Sequence, residues 1–394
     1  MNNVLKMREH AYIANTYNRF DVALKYGNGV IVVDDEGKEY LDFTSGIGVC
    51  GLGHSFEPWV KATTKQLKDI EHTSNLFYTE PMVDVAEKLC KAAKLEKVFF
   101  ANSGAEANEG AIKAARKYAF DIYKGDRSEI ITLKNSFHGR TISTLSATGQ
   151  DSFHQFFDPF TPGFVYVEAN NFEELASAIN SKTLAIMVEV VQGEGGVIPL
   201  AETYLQAIQD ICDHKDILFI VDEVQTGMGR TGSLFAYMQY GLKPDIVTCA
   251  KGLGNGLPIG AVLLGDKVED IFEKGDHGST FGANPVSCAG ANVVMDYMND
   301  SLYSNVIKMG DLLVTKLKEI PQVVQVDGLG LMLGIEIDAS IAAREVVEAC
   351  IEKGLLILTA KNRLRLLPPL VITDKHIEKA VKILADVLAS KAKG

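Results

Sequence analysis

Short apolar runs alternate with amphipathic stretches along most of this chain. The runs at 98–101, 130–133, 165–167, 185–191, 218–221, 246–249 and 259–264 predict strands. Several are apolar throughout, as strands buried on both faces should be. Helix-like segments separate many of them, so the pattern predicts an α/β fold around a mostly parallel central sheet flanked by helices. The clearest helix is 105–124: Ala107, Ala111, Ala114, Ala115 and Tyr118 recur at helical spacing, charged residues fill the other side, and Gly125 follows as a stop. The two ends differ in texture. A hairpin-like stretch at 29–40 turns at 35–37, and a closing helix spans 374–392. The expectation is a large domain over 49–284 and a smaller α+β domain built from both chain ends, 1–48 and 285–394.

A length of 394 residues favours two domains over one core. With 47% hydrophobic and 23% charged residues, the chain belongs with soluble globular proteins rather than disordered or fibrous ones. The formal charge of -12, with no basic run, argues against a nucleic-acid partner. Its six cysteines are scattered, without Cys-x-x-Cys or metal-like Cys/His spacing, which fits a reduced cytoplasmic setting and no metal. The amino terminus lacks the apolar stretch of a signal peptide, and no run of roughly eighteen apolar residues exists for a membrane span. The mature protein is therefore expected to be the whole chain, with no membrane partner.

Two residues carry the candidate chemistry. Asp222 ends the apolar run 218–221, and Lys251 lies just past the run 246–249. An acid at the end of one buried strand and a lone lysine after the next is how a protein holds pyridoxal 5'-phosphate. The carboxylate keeps the pyridine nitrogen protonated through a charge-assisted hydrogen bond, and the lysine forms the covalent link that substrates displace. That lysine must lose its proton readily, which burial and a cationic ring favour; arginine could not do so. Ser103, Gly104 and Ala105 stand between the strand 98–101 and the long helix. Small residues there let backbone N–H groups approach a phosphate, and the helix dipole favours the anion. Alone, they would read rather as a capped strand-to-helix turn; Lys251 reverses that preference.

Two glycine clusters compete. Gly227-Met228-Gly229-Arg230-Thr231-Gly232 matches a dinucleotide fingerprint, but four residues separate it from its strand and no acid lies at the required distance beyond it. Gly328-Leu329-Gly330 precedes a strand-like 331–337 rather than a helix. Both read as loop geometry.

The series Asn102-Ser103-Gly104-Ala105-Glu106-Ala107, Phe137-His138-Gly139-Arg140-Thr141, Gln192-Gly193-Glu194, Asp222-Glu223-Val224-Gln225, Lys251 and Arg365-Leu366-Leu367-Pro368-Pro369 resembles the class III aminotransferases, fold type I pyridoxal phosphate enzymes. Within that family, His72 to Pro81 and Gly46-Ile47-Gly48-Val49 look like the acetylornithine aminotransferases. Ile47 stands where enzymes acting on free ornithine usually carry tyrosine, which favours an acylated donor. The resemblance implies that Phe137 stacks on the cofactor ring and Gln225 bonds near its phenolic oxygen. It also implies that Thr280 reaches the phosphate of a neighbouring subunit, hence a homodimer with shared sites, while Ser279 approaches substrate. Arg140 would contact the donor and Arg365 the α-carboxylate of 2-oxoglutarate, with Glu194 as a gate pairing with Arg365. His138 is expected to be structural, since Lys251 is already placed to move the proton. The implied reaction is amino transfer from N-acetylornithine to 2-oxoglutarate in arginine biosynthesis. Succinylornithine, N-succinyl-diaminopimelate and 4-aminobutyrate are alternative donors; a decarboxylase and a non-catalytic relative are remoter alternatives.

Overall fold

The computed structural model describes residues 3–392, so residues 1, 2, 393 and 394 of the expected small domain lie outside the described residues. Its centre is a seven-stranded sheet in the order Lys97–Ala101, Gly260–Leu264, Ile246–Cys249, Leu218–Asp222, Thr183–Val188, Glu129–Leu133 and Phe164–Val167. Leu218–Asp222 runs parallel to both Ile246–Cys249 and Thr183–Val188, and Glu129–Leu133 runs parallel to both of its neighbours. Gly260–Leu264 alone runs antiparallel to both strands beside it. The reason is chain length: the short link from Cys249 to Gly260 leaves no room for a crossover helix.

Both faces of the sheet are covered. The helix Gly104–Tyr123 lays Ala107, Ala111, Ile112, Ala114, Ala115 and Ala119 against Ile130, Ala185, Met187, Leu218, Ile220 and Val262. The alternate positions Ile131, Ile186, Val188, Phe219, Val221 and Leu263 pack on the opposite face, beneath the helices Glu80–Ala93, Glu202–Lys215 and Pro285–Tyr297. Residues one apart on a strand thus serve different layers. The run expected at 185–191 is broken in two: the strand ends at Val188, and Val191–Gln192 pairs with Ile198–Pro199 in a separate ribbon.

A second core joins distant parts of the chain. Val30, Val32, Tyr40, Leu41 and Phe43 from the amino-terminal strands pack with Leu313, Ile335, Val347, Leu364, Ile377 and Leu388. The strands Ile31–Asp34 and Glu39–Asp42 form the expected hairpin. Val323–Leu329, Met332–Ile337, Arg363–Leu366 and Leu358–Ala360 make an antiparallel sheet, closed by the helix Asp374–Lys391. On this partition we propose two units. Cys288, Ala291, Val294 and Met295 side with the first core, so the passage between units falls after Tyr297 rather than at 285.

Arg230 links the two. Fully buried in the loop after Leu218–Asp222, its Nη1 donates to the carbonyls of Leu331 and Pro368. Burial pushes this guanidinium down to about 9, against the pull of Asp42. Neither glycine cluster opens a long helix. Gly229 and Gly232 adopt left-handed turns before the short 3-10 segment Ala236–Tyr240, and Gly330 turns a hairpin.

Candidate active site

Parallel strands deliver their carboxyl ends, and the loops after them, to one edge of the sheet. There Ser103, Gly104, Ala105, Phe137, Arg140, Asp222, Gln225 and Lys251 line a single cavity of about 390 Å³. Ser103 caps the long helix, its side chain accepting the Glu106 amide at 3.2 Å, so the first free N–H groups of that helix face the cavity rim. Gly104 is required by its neighbour: a Cβ there would lie 2.6 Å from Val224 Cγ1.

Asp222 sits at the floor of the cavity, with 3% of its surface exposed. Its Oδ1 accepts the Val224 amide at 2.9 Å. Oδ2 accepts Asn108 Nδ2 at 2.7 Å and lies 2.8 Å from His138 Nδ1. Asn108 is in turn fixed by Thr248 Oγ1 at 2.6 Å and donates to the His138 carbonyl at 2.7 Å. Burial resists protonation of His138, but Asp222 and Glu189 outweigh it and raise its pKa. Opposite this cluster, Lys251 carries a left-handed φ of 43°, a strained conformation for a side chain other than glycine. Desolvation depresses its ammonium pKa, helped by Arg365 and opposed by Glu194, Asp222 and Glu189. The free amine is thereby made accessible.

Arg365 and Glu194 lie outside the cavity lining and adjoin it through Gln225. Arg365, 3% exposed, pairs through Nη1 with Glu194 Oε1; the Gly193 carbonyl and Gln225 Oε1 each lie 3.4 Å from the same nitrogen. Burial opposes ionisation of Glu194, but Arg365, Lys251 and Gln225 hold its carboxyl below the usual range. Arg140 is exposed, with its guanidinium 3.9 Å from the Phe153 ring centroid and 5.5 Å from that of Phe137; the two rings meet edge-on at 5.9 Å. Ser279 and Thr280 are not part of the lining. Ser279 Oγ accepts Asn102 Nδ2 at 3.1 Å beside the helix start, and Thr280 points outward, exposed.

The class-III aminotransferase family model matches residues 12–388. The acetylornithine aminotransferase of Haemophilus ducreyi is 55% identical over 386 residues, covering 98% of each chain.

The chain belongs to the class-III aminotransferases.

Solved structures agree. The N-acetylornithine aminotransferase of Stenotrophomonas maltophilia K279a superposes with a TM-score of 0.85 at 36% identity, over 98% of this chain and 99% of that one. An ornithine aminotransferase of Toxoplasma gondii, crystallised with partial occupancy of PLP at its active site, reaches 0.95 at 31% identity over 100% and 96%. As a class-III aminotransferase the chain has the fold type I architecture, with a mixed central sheet between helices, and acts on an amino acid and a keto acid.

The residues of this aminotransferase fit pyridoxal phosphate. A carboxylate offers about four lone-pair sites, and three donors occupy those of Asp222, leaving acceptor capacity for a protonated ring nitrogen. Lys251 supplies a desolvated amine for the aldehyde. The amino terminus of the twenty-residue helix Gly104–Tyr123 suits the phosphate. Sequence reasoning missed Asn108 and Glu189. Both left a signal: Asn108 is a polar residue among the alanines of a buried helix face, and Glu189, like Asp222, is an acid closing an apolar strand.

Proposed function

We propose that this aminotransferase moves the δ-amino group of N2-acetyl-L-ornithine to 2-oxoglutarate, giving N-acetyl-L-glutamate 5-semialdehyde and L-glutamate, a step of arginine biosynthesis. The observation that carries the reading is the ion pair that buried Arg365 makes with the partly exposed Glu194 beside the Lys251 cavity. One site must accept a donor that presents a terminal amine and an acceptor that presents an α-carboxylate. With the donor bound, Glu194 neutralises Arg365; with 2-oxoglutarate bound, the α-carboxylate takes its place. Identity to the Haemophilus ducreyi enzyme supports the acetylated donor.

Pyridoxal phosphate, when bound, supplies the electron sink that makes the transfer possible. Asp222 holds a proton at the ring nitrogen, steadied by His138 and Asn108. Lys251 would hold the cofactor covalently, and its Nζ, once free, would move the proton at the substrate carbon. Phe137 would cover the ring face, Gln225 would bond near its phenolic oxygen, and the amides after Ser103, through Gly104 and Ala105, would receive the phosphate. Arg140 binds the donor carboxylate. The two half-reactions share one site, so kinetics are ping-pong.

The same reading makes the molecule a cytoplasmic homodimer, with Thr280 of a second copy reaching the phosphate and Ser279 approaching substrate. In support, Leu76, Phe77 and Tyr78 are 87%, 66% and 95% exposed, and Phe281, next to Thr280, is 60% exposed. Such an apolar surface suits burial against another copy. The six cysteines are free, and among the described residues no helix is long and apolar enough to cross a membrane.

The test is the donor half-reaction of cofactor-loaded protein with N-acetylornithine, succinylornithine, ornithine and 4-aminobutyrate, followed by absorbance. Fast conversion by N-acetylornithine is expected. Conversion by ornithine or 4-aminobutyrate alone would overturn the donor assignment.

A further inference from the structure

Glu189 follows the strand Thr183–Val188 directly and is buried, with 5% of its surface exposed. Among the described residues, no lysine or arginine forms an ion pair with it. Instead its two oxygens go to two backbone amides from different segments: Oε2 accepts Phe137 N at 3.0 Å, and Oε1 accepts Gly193 N at 3.2 Å. Phe137 forms the aromatic wall of the cavity. Gly193 precedes Glu194, and its carbonyl faces Arg365. The Gln225 side chain packs closely on this link, since a Cβ on Gly193 would lie 2.4 Å from its Oε1.

A buried carboxyl hydrogen-bonded to no cation, with His138 and Lys251 acting on it only through space, is expensive to keep, so it needs a task that a neutral side chain could not perform. Accepting two N–H donors at once is such a task. A carboxylate accepts on both oxygens, whereas glutamine turns an NH2 group toward one of the two donors. Aspartate, one methylene shorter, cannot span both.

We propose that Glu189 is a positioning residue that ties the Phe137 amide to the Gly193 amide and so fixes the aromatic wall relative to the Arg365–Glu194 gate. The proposal rests on the aminotransferase reading of this cavity. The charged groups facing Glu189 are His138, Asp222 and Lys251. Burial, with Asp222 adding to it, pushes the Glu189 carboxyl up to about 7, while His138 and the two amides pull it back. The tie is therefore complete above neutral pH, and protonation removes one acceptor as the pH falls.

The experiment uses cofactor-loaded wild type, Glu189→Gln and Glu189→Asp, with two readouts. Amide hydrogen exchange is followed at Phe137 and Gly193, and each half-reaction is followed in single turnover from pH 6 to 9. In Glu189→Gln, at least one of the two amides is expected to exchange about tenfold faster or more. Half-saturation by 2-oxoglutarate should rise by a similar factor, and the loss of wild-type efficiency below about pH 7 should flatten. If both amides stay as protected as in wild type and the pH profile is unchanged, the proposal is wrong.

Should Glu189→Gln fail to fold by circular dichroism, Glu189→Asp decides. It keeps the charge, so the pH limb is expected to persist while one amide loses protection, and full protection of both would overturn the tie. The wild-type protein separates the two readings. If it converts no amine at all, the proposed function fails, while the exchange measurement still judges Glu189 without turnover.

Discussion

Replacing Glu194 by glutamine should push the two half-reactions in opposite directions. The pair it breaks joins Arg365, with 4% of its side chain exposed, to a Glu194 side chain 29% exposed. At an effective dielectric of about 20, opposite charges near contact attract by roughly 4 kcal/mol. Solvent at the carboxylate and the entropy of holding it reduce this to about 2 kcal/mol, on the order of 30-fold in affinity. On the proposed gate, 2-oxoglutarate must displace that interaction in wild type. Glu194→Gln removes the competitor, so half-saturation by 2-oxoglutarate should fall by up to about 30-fold. The donor half-reaction should slow. Arg365 then keeps only the Gly193 carbonyl and Gln225 Oε1, both at 3.4 Å, and its uncompensated charge draws the donor's α-carboxylate away from Arg140. Rapid mixing with each substrate alone, read by cofactor absorbance, separates the two effects. Unchanged or weaker binding of 2-oxoglutarate would refute the gate, and equal slowing of both halves would signify general damage.

Three further outcomes are expected. His54 Nε2 lies 2.8 Å from buried Asp42, and Asp42 and Cys50 raise its pKa from 6.5 to about 10. Because the folded value is the higher, its stabilisation is complete below pH 6.5 and lost as the pH rises toward 10. The gap in Tm between wild type and His54→Asn should shrink from pH 6 to pH 10, and a constant gap would count against it. Gly104→Ala drives a Cβ to 2.6 Å from Val224, an overpacking of about 1–3 kcal/mol beside the phosphate cradle. Equilibrium dialysis should show pyridoxal phosphate held about tenfold more weakly; unaltered retention would mean that Val224 yields. Phe153→Leu removes the ring 3.9 Å from Arg140, a cation–π contact of about 1 kcal/mol. The KM for N-acetylornithine should rise about fivefold with kcat nearly unchanged, and an equal KM would show that Arg140 needs no such support.

Much of the architecture was legible because parallel strands buried on both faces are written as unbroken apolar runs, as at Leu218–Asp222 and Ile246–Cys249. What escaped was orientation and partnership. The antiparallel course of Gly260–Leu264 was implicit in the short link before it, yet strand pattern alone carries no direction. Lys251 and Asp222 stood out because each is a charged residue at the end of an apolar strand. Glu189 has the same signature but follows a strand that was read through to 191, so its position at a strand end was hidden. Asn108 gains meaning only when helix and sheet bring it between Thr248 and Asp222. Ser279 and Thr280 were expected near the cofactor, yet neither lines the cavity of a single chain.

Arg230 has a consequence for measurement by the molecule itself. It holds the carbonyl of Pro368, three residues after Arg365 along a strand and its continuation, from a loop rooted in the Asp222 strand. On the proposed assignment, the Arg365 guanidinium and the Lys251 amine thus act as the jaws of a locked caliper. A locked caliper selects by length. Keto acids one methylene shorter or longer than 2-oxoglutarate then lose about 1–3 kcal/mol, and loosening Arg230 would first blur that ruler, well before it harmed the chemistry at Lys251.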